Sequence, residues 1–266
     1  MRLSHWKKNP WAAYHGDMAT SSYLRSIGVL GGMGPLATLD FMHKVLDATP
    51  AATDQQHVPL IVHSVPQIPD RSTAIQQQTD TPFLPMLAGI RQLERCGVDA
   101  IVIPCNTAHF WYDRLARSTQ TPILHIVDAV ADELARQGNT GGRYALMATR
   151  GTLATGVYDR MPTGFAGSFE VPDESVQPLV DDTIRLVKAG QEAEARKIGS
   201  QALRYLIDEQ GYDGVVLACT ELPVALRQTA HDAYCLDATL ALARQAVRFS
   251  LHGGAQPQPN IICQAA

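Results

Sequence analysis

Paired cysteines, metal-ligand spacings, blocks of basic residues and long apolar runs are all missing from this chain of 266 residues. The five cysteines are widely spaced and form no Cys-x-x-Cys pair. That argues against a disulfide framework and fits a reducing, cytoplasmic compartment where thiols stay free. With no Lys/Arg-rich block and a net charge of -4, nucleic acid and anionic membrane surfaces are not expected partners. No apolar run approaches the ~20 residues that a bilayer-spanning helix needs. Residues 1–22 mix Trp6, Lys7, Lys8, Pro10 and Trp11 without the apolar centre of a secretory leader. The Gly-rich stretch Gly31-Gly-Met-Gly34 lacks both the Lys-Ser/Thr of a P-loop and the spacing of the dinucleotide fingerprint.

What the chain does have is an internal echo. Gly97-Val-Asp-Ala-Ile-Val-Ile-Pro-Cys105-Asn-Thr107 returns, 114 residues on, as Gly211-Tyr-Asp-Gly-Val-Val-Leu-Ala-Cys219-Thr-Glu221. A second pair, Ile27-Gly-Val-Leu-Gly-Gly-Met-Gly-Pro-Leu-Ala-Thr38 and Tyr144-Ala-Leu-Met-Ala-Thr-Arg-Gly-Thr-Leu-Ala-Thr155, is offset by 117. Two matches at nearly one offset point to a duplicated α/β unit: strand, Gly loop, helix, then a later strand ending in Cys. Apolar runs without alternation read as strands buried on both faces, the kind found in parallel sheets. Ligands bind such sheets at the carboxyl ends of the strands, which is where each of the two cysteines falls.

Taken in order, Ile27–Leu30 reads as a strand and Ala37–Val45 as a helix opened by Pro35. The Gly loop between them is open to three uses: a carboxylate site, a phosphate site or a structural turn. A second strand is expected at Val58–His63. The loop after it, stiffened by Pro66 and Pro69, would aim Gln67 and Arg71, and the guanidinium fork of Arg71 suits a carboxylate or a surface salt bridge. His109, four residues past Cys105, faces the same way if a helix starts at once. A strand at Pro122–Ile126, helices around Asp128–Arg136 and Asp181–Ala189, and a last helix to about Phe249 complete the reading. Lys188 falls in the last turn of its helix, a favourable place for a cation.

A thiolate is a base as well as a nucleophile, and its pKa can fall to about 3.5–7.5 beside helix N-terminal amides. Two thiols facing each other across one carbon are what stereoinversion requires, one removing a proton and the other delivering one. Other readings stand beside this. Cys96, Cys235 and Cys263 are expected to be structural thiols. Cys105 with His109 would suit a thiol hydrolase, which leaves Cys219 unused. A non-catalytic carboxylate-binding module would not need two thiols.

Gly31-Gly-Met-Gly-Pro-Leu-Ala-Thr38, Ile68-Pro-Asp-Arg71, Pro104-Cys-Asn-Thr-Ala-His109 and Ala218-Cys-Thr-Glu-Leu-Pro223 resemble the aspartate/glutamate racemase superfamily on its aspartate racemase branch. Ala148-Thr-Arg-Gly-Thr152 with Tyr158 also resembles the family's second-lobe loop. The resemblance runs from about Ile27 to Leu240, and Ala218 departs from the more usual Gly. It implies two pseudo-symmetric flavodoxin-like lobes, each a parallel sheet flanked by helices, with the active site in the cleft between them. Residues 24–121 plus 231–250 would form the first lobe and 122–230 the second. A poorly ordered arm (1–23) and a loose tail (251–266) would flank them. It further implies cofactor-independent and metal-free racemisation of an amino acid, most simply aspartate or glutamate, with Cys105 and Cys219 as the opposing acid/base pair. Asn106, Thr107 and Thr220 would hold the α-carboxylate, and Met33 and Gln67 would line the site. Arg71 and Lys188 would hold carboxylate groups, including one on the substrate side chain. A homodimer is expected. Related branches perform maleate isomerisation or hydantoin racemisation, and their motifs fit less well.

Overall fold

The computed structural model describes residues 24–139, 141–160, 162, 164–227, 229 and 231–252. The expected N-terminal arm, most of the expected tail and Cys263 lie outside the described residues. The first half of the chain runs β1 (Ile27–Gly31), α1 (Pro35–Ala48), β2 (Leu60–Ser64), α2 (Arg71–Gln76), α3 (Phe83–Arg95), β3 (Ala100–Val102), α4 (Tyr112–Arg117), β4 (Ile123–Leu124) and α5 (Ile126–Arg136). The second half repeats the pattern with β5 (Arg143–Ala148), α6 (Arg150–Ala154), β6 (Ser168–Glu170), α7 (Gln177–Lys188), α8 (Glu192–Arg204), β7 (Gly214–Ala218), α9 (Leu222–Leu226), β8 (Cys235–Asp237) and α10 (Ala238–His252).

Each half contributes one parallel four-stranded sheet, ordered β2-β1-β3-β4 and β6-β5-β7-β8. The orders are the same once the second set is matched to the first, so the echo in the sequence is a repeat in topology. The central strands β1, β3 and β7 are buried along their whole length. Their apolar runs need no alternation because helices cover both faces. One buried cluster joins Val29, Val102 and Leu124 of the first sheet to Leu146, Val216 and Ala218 of the second, through Val130 and Leu134 of α5 and Ala243 and Val247 of α10. Two further clusters fill the outer faces, under α7, α8 and α9 on the second sheet and under α3 and α4 on the first.

The expected lobe boundaries need correcting in two places. The strand expected at Pro122–Ile126 is β4, and it pairs with β3 through Ile101↔Ile123 and Val102↔Leu124, so it closes the first sheet rather than starting the second lobe. Residues 235–237, expected in the first lobe, form β8 and pair with β7. The reason is the same in both halves: the Cys-bearing strand needs a neighbour on its outer side to complete its ladder, and the next stretch of chain supplies it. Only then does α10 pack against α1 and α5. Two ion pairs to buried Glu133 of α5, from Arg244 and Arg248, tie it down. Among the described residues no helix is long and apolar enough to cross a membrane.

Candidate active site

Both cysteines sit just past the carboxyl end of a central strand. Cys219 follows β7 directly, and Cys105 lies three residues beyond β3, ahead of a 3-10 turn over Thr107–Trp111. Cys105 and Cys219 are both buried, 6% and 7% exposed. Although they come from different sheets, they line one cleft of ≈ 100 Å³. Thr38 shapes the wall of this cleft: its hydroxyl accepts from the Gly32 N–H (2.8 Å) and donates to the Gly34 carbonyl (3.0 Å). Gly32 has φ +91, and a Cβ there would stand 2.4 Å from the Val65 backbone, so only glycine permits the turn. The turn presents Met33 and Gly34 to the cleft.

The surroundings of the two sulfurs differ. The Cys219 thiol donates to Glu221 Oε2 at 3.0 Å, and the same oxygen accepts from the Thr220 hydroxyl at 3.0 Å. Burial pushes the Cys219 thiol well above its ordinary pKa, the Glu221 charge adds to the rise, and Lys188 opposes it. Lys188 Nζ lies 3.9 Å from Glu221 Oε1. His109 is in contact with the Cys105 peptide group, not the Cys105 sulfur. The Cys105 carbonyl can only accept, so Nδ1–H of His109 donates to it at 2.9 Å, while Nε2 accepts from the Ile126 N–H at 3.2 Å. Both ring nitrogens are committed to backbone, and burial lowers the His109 pKa to about 4. This removes the base that a Cys105–His109 hydrolase would need.

Met33, Arg71, Asn106, Thr107, Lys188 and Thr220 of the expected set all line the cleft. Gln67 does not: the loop between Pro66 and Pro69 leaves it exposed. Arg71 donates to the carbonyls of Ile68 (3.2 Å), Pro69 (3.2 Å) and Met33 (3.1 Å), which staples its own loop to the Gly loop, and its Nε is buried without a partner. The Thr107 hydroxyl is taken up by Thr149 (3.1 Å) and Thr152 (2.8 Å) of the second half. The amide of Asn106 accepts from the Tyr158 hydroxyl at 2.7 Å, and its Nδ2 is buried without a partner. Asp70, Ser72, Thr149 and Glu221 line the cleft as well and are absent from the residues expected there. The repeat holds the signal for two of them. Adding the offset of 117 to Gly32 of the Gly loop gives Thr149, and adding 114 to Thr107 gives Glu221. Among the described residues no group of three or more His, Cys, Asp or Glu side chains could hold a metal ion.

The cleft thus brings two thiols from two halves of a duplicated fold beside unpaired buried donors and two cations. That inventory suits proton transfer at an anionic small molecule. The family described as Asp/Glu/Hydantoin racemase matches residues 30–246. The broad specificity amino-acid racemase of Bacillus subtilis (strain 168) is 27% identical over 225 residues, covering 83% of this chain and 96% of that protein. The Picrophilus torridus aspartate racemase is similar in structure, with a TM-score of 0.72 and 29% identity over 85% of this chain and 94% of that one. An aspartate racemase homologue from Pyrococcus horikoshii OT3 shares the fold at a TM-score of 0.69 and 22% identity, covering 85% and 99% of the two chains.

Proposed function

This chain belongs to the Asp/Glu/hydantoin racemase family, and from that premise we propose that it is a cofactor-independent amino-acid racemase using Cys105 and Cys219 as its two bases. The observation that carries the proposal is that one thiol from each half of the duplicated fold lines the same cleft. In the reaction, a thiolate takes the α-proton from one face of the bound amino acid and leaves its electron pair on the α-carbon as a carbanion. The opposite thiol then gives its proton to the other face. One S–H bond forms and one breaks, so the enzyme finishes with the proton on the other cysteine. Because the Glu221 carboxylate accepts from the Cys219 thiol, Cys219 holds its proton in the resting form and is set to act as the acid. The unpaired Nδ2 of Asn106, next in sequence to Cys105, is the donor for the α-carboxylate; the Thr220 hydroxyl, which donates to Glu221 here, would turn from it to serve as a second. Thr107 is left to hold the two halves together.

For the substrate we propose an acidic amino acid, aspartate or glutamate. Arg71 and Lys188 in the cleft wall support this, as does the likeness to a protein titled aspartate racemase. Lys188 is the cation with the greater freedom, since three carbonyls already engage Arg71. Lys188→Met is expected to raise KM for aspartate about tenfold or more, a loss of roughly 1.4 kcal/mol, with little change for alanine. Chiral chromatography of reactions with a panel of single enantiomers measures this. An enzyme that turned over alanine as well as aspartate, and was indifferent to Lys188→Met, would instead share the breadth named for the Bacillus subtilis relative.

A further inference from the structure

We propose that Tyr158 is a positioning residue. Its hydroxyl, reaching across from the second half of the fold, sets the Asn106 side-chain amide so that Nδ2 meets a carboxylate bound in the cleft. Tyr158 lies in a 3-10 turn over Val157–Asp159, after α6, and Asn106 follows β3 of the other sheet. Their side chains meet at 2.7 Å, Tyr158 OH to Asn106 Oδ1, and both residues are 3% exposed. A side-chain amide can present either its oxygen or its nitrogen to a given side. Here Tyr158 donates and the amide oxygen accepts; burial raises the Tyr158 pKa, so the O–H that makes this bond is retained. Its ring is held edge-on against Phe169 of β6, centroids 5.4 Å apart.

With the oxygen bound, the nitrogen is left over. Asn106 Nδ2 is buried and has no partner within the described protein. The adjacent Thr107 hydroxyl, a possible acceptor by type, is shared between Thr149 and Thr152. An unmet buried donor is unfavourable unless a ligand meets it, and the cleft that Asn106 lines with Cys105 is where a ligand can do so. A carboxylate on Nδ2 would hold the neighbouring carbon beside the Cys105 sulfur. Since Tyr158 and Asn106 belong to different halves, that binding site exists only while the halves are together.

This inference rests on the racemase reading only for the identity of the carboxylate, and its test does not need turnover. The probe is succinate, which has carboxylates but no α-amino group and cannot racemise, titrated calorimetrically into wild type, Tyr158→Phe and Asn106→Asp. Tyr158→Phe keeps the ring and removes one oxygen. It is expected to weaken succinate binding about tenfold and, in the racemase assay, to raise KM by a similar factor while changing kcat less. A merely structural defect would instead lower kcat and leave the affinity of the folded fraction unchanged. Asn106→Asp keeps an acceptor for Tyr158 but replaces the donor with an oxygen, so the folded protein should no longer bind succinate. Succinate bound equally well by all three proteins would overturn the proposal, as would a wild type that does not bind it. A wild type that binds succinate through Tyr158 but racemises nothing would overturn the racemase reading and leave this inference standing.

Discussion

At the scale of single residues, the raised pKa of the Cys219 thiol has direct consequences for pH. Cys219 keeps its proton in the native state to a higher pH than an unfolded thiol does, for the reasons of burial and Glu221 given above. Cys235 behaves likewise, its thiol pushed up to about 12 by burial, with Asp232 and Asp237 adding to the shift. Groups with raised native pKa values contribute stability below the unfolded value, near 8.5, and lose it as pH climbs towards the folded value. Thermal stability should therefore fall from about pH 8.5 upward, and fall less steeply in Cys219→Ser and Cys235→Ser, a comparison that differential scanning calorimetry makes. In catalysis, the enantiomer whose proton goes to Cys219 needs that thiol ionised, so its kcat should rise towards alkaline pH. Glu221→Gln removes the negative charge beside the sulfur. It should shift the rising limb of kcat in that direction to lower pH. A kcat profile for that enantiomer that does not move in Glu221→Gln would contradict the account; kcat/KM cannot serve, because an equilibrium constant of one holds it equal for the two enantiomers.

At the scale of elements, His109 is the joint between the first Cys loop and α5. Its ring bridges the Cys105 carbonyl and the first amide of that helix. His109→Ala would leave both backbone groups buried and unpaired, at a cost of about 2–4 kcal/mol. Urea unfolding should show this as a lowered midpoint. Wild-type stability should also decline as pH drops from about 6.5 towards 4, because the unfolded imidazole gains a proton that the buried one refuses. The elements that sequence reveals are the ones whose physics is local. β3 and β7 are unbroken apolar runs opened by Gly and Asp and closed by Cys, and α1 is announced by Pro35. β4, two residues long, and the half-exposed β6 carry too little pattern of their own. Their pairing is decided by the neighbouring strand, which is why the boundary at residue 122 falls in the wrong place. Gln67 misleads for a related reason, since two prolines predict a stiff loop but not its direction. Glu221 and Tyr158 stand inside recognisable motifs, yet their partners lie in contacts that spacing does not encode, two residues away for one and 52 for the other.

At the scale of the whole molecule, the two halves meet around the cleft through side chains too short to reach far. Thr107 with Thr149 and Thr152, Ser72 with Thr149, and Tyr158 with Asn106 all cross from one half to the other. At Gly151 of α6, an added Cβ would stand 2.6 Å from Ser72 Oγ and 2.8 Å from its Cα. Alanine is the better helix former, so any loss at this position comes from the collision and not from α6 itself. Gly151→Ala is expected to push α6 away from α2, lower stability by about 1–3 kcal/mol and raise KM more than it lowers kcat. Restored wild-type KM in Gly151→Ser would contradict this, because serine also carries the offending Cβ. A homodimer, expected from the resemblance alone, would find an apolar surface in Leu36, Leu39 and Leu46, exposed along α1 at 72%, 61% and 51%. Leu39→Asp should move a dimer towards monomer in sedimentation velocity. A wild type that sediments as a monomer at every concentration would remove the expectation.

The central claim is that two thiols on opposite sides of one α-carbon exchange its proton with solvent. The direct measurement is proton NMR in deuterium oxide, without added cofactor, on each enantiomer of aspartate and glutamate with wild type, Cys105→Ser and Cys219→Ser. At early times the newly formed enantiomer should carry deuterium at the α-carbon while the remaining substrate stays protiated. Both substitutions should reduce inversion by about 10²–10⁴-fold. Inversion at the wild-type rate in either variant, or no α-proton exchange with any of the four amino acids, would contradict the account.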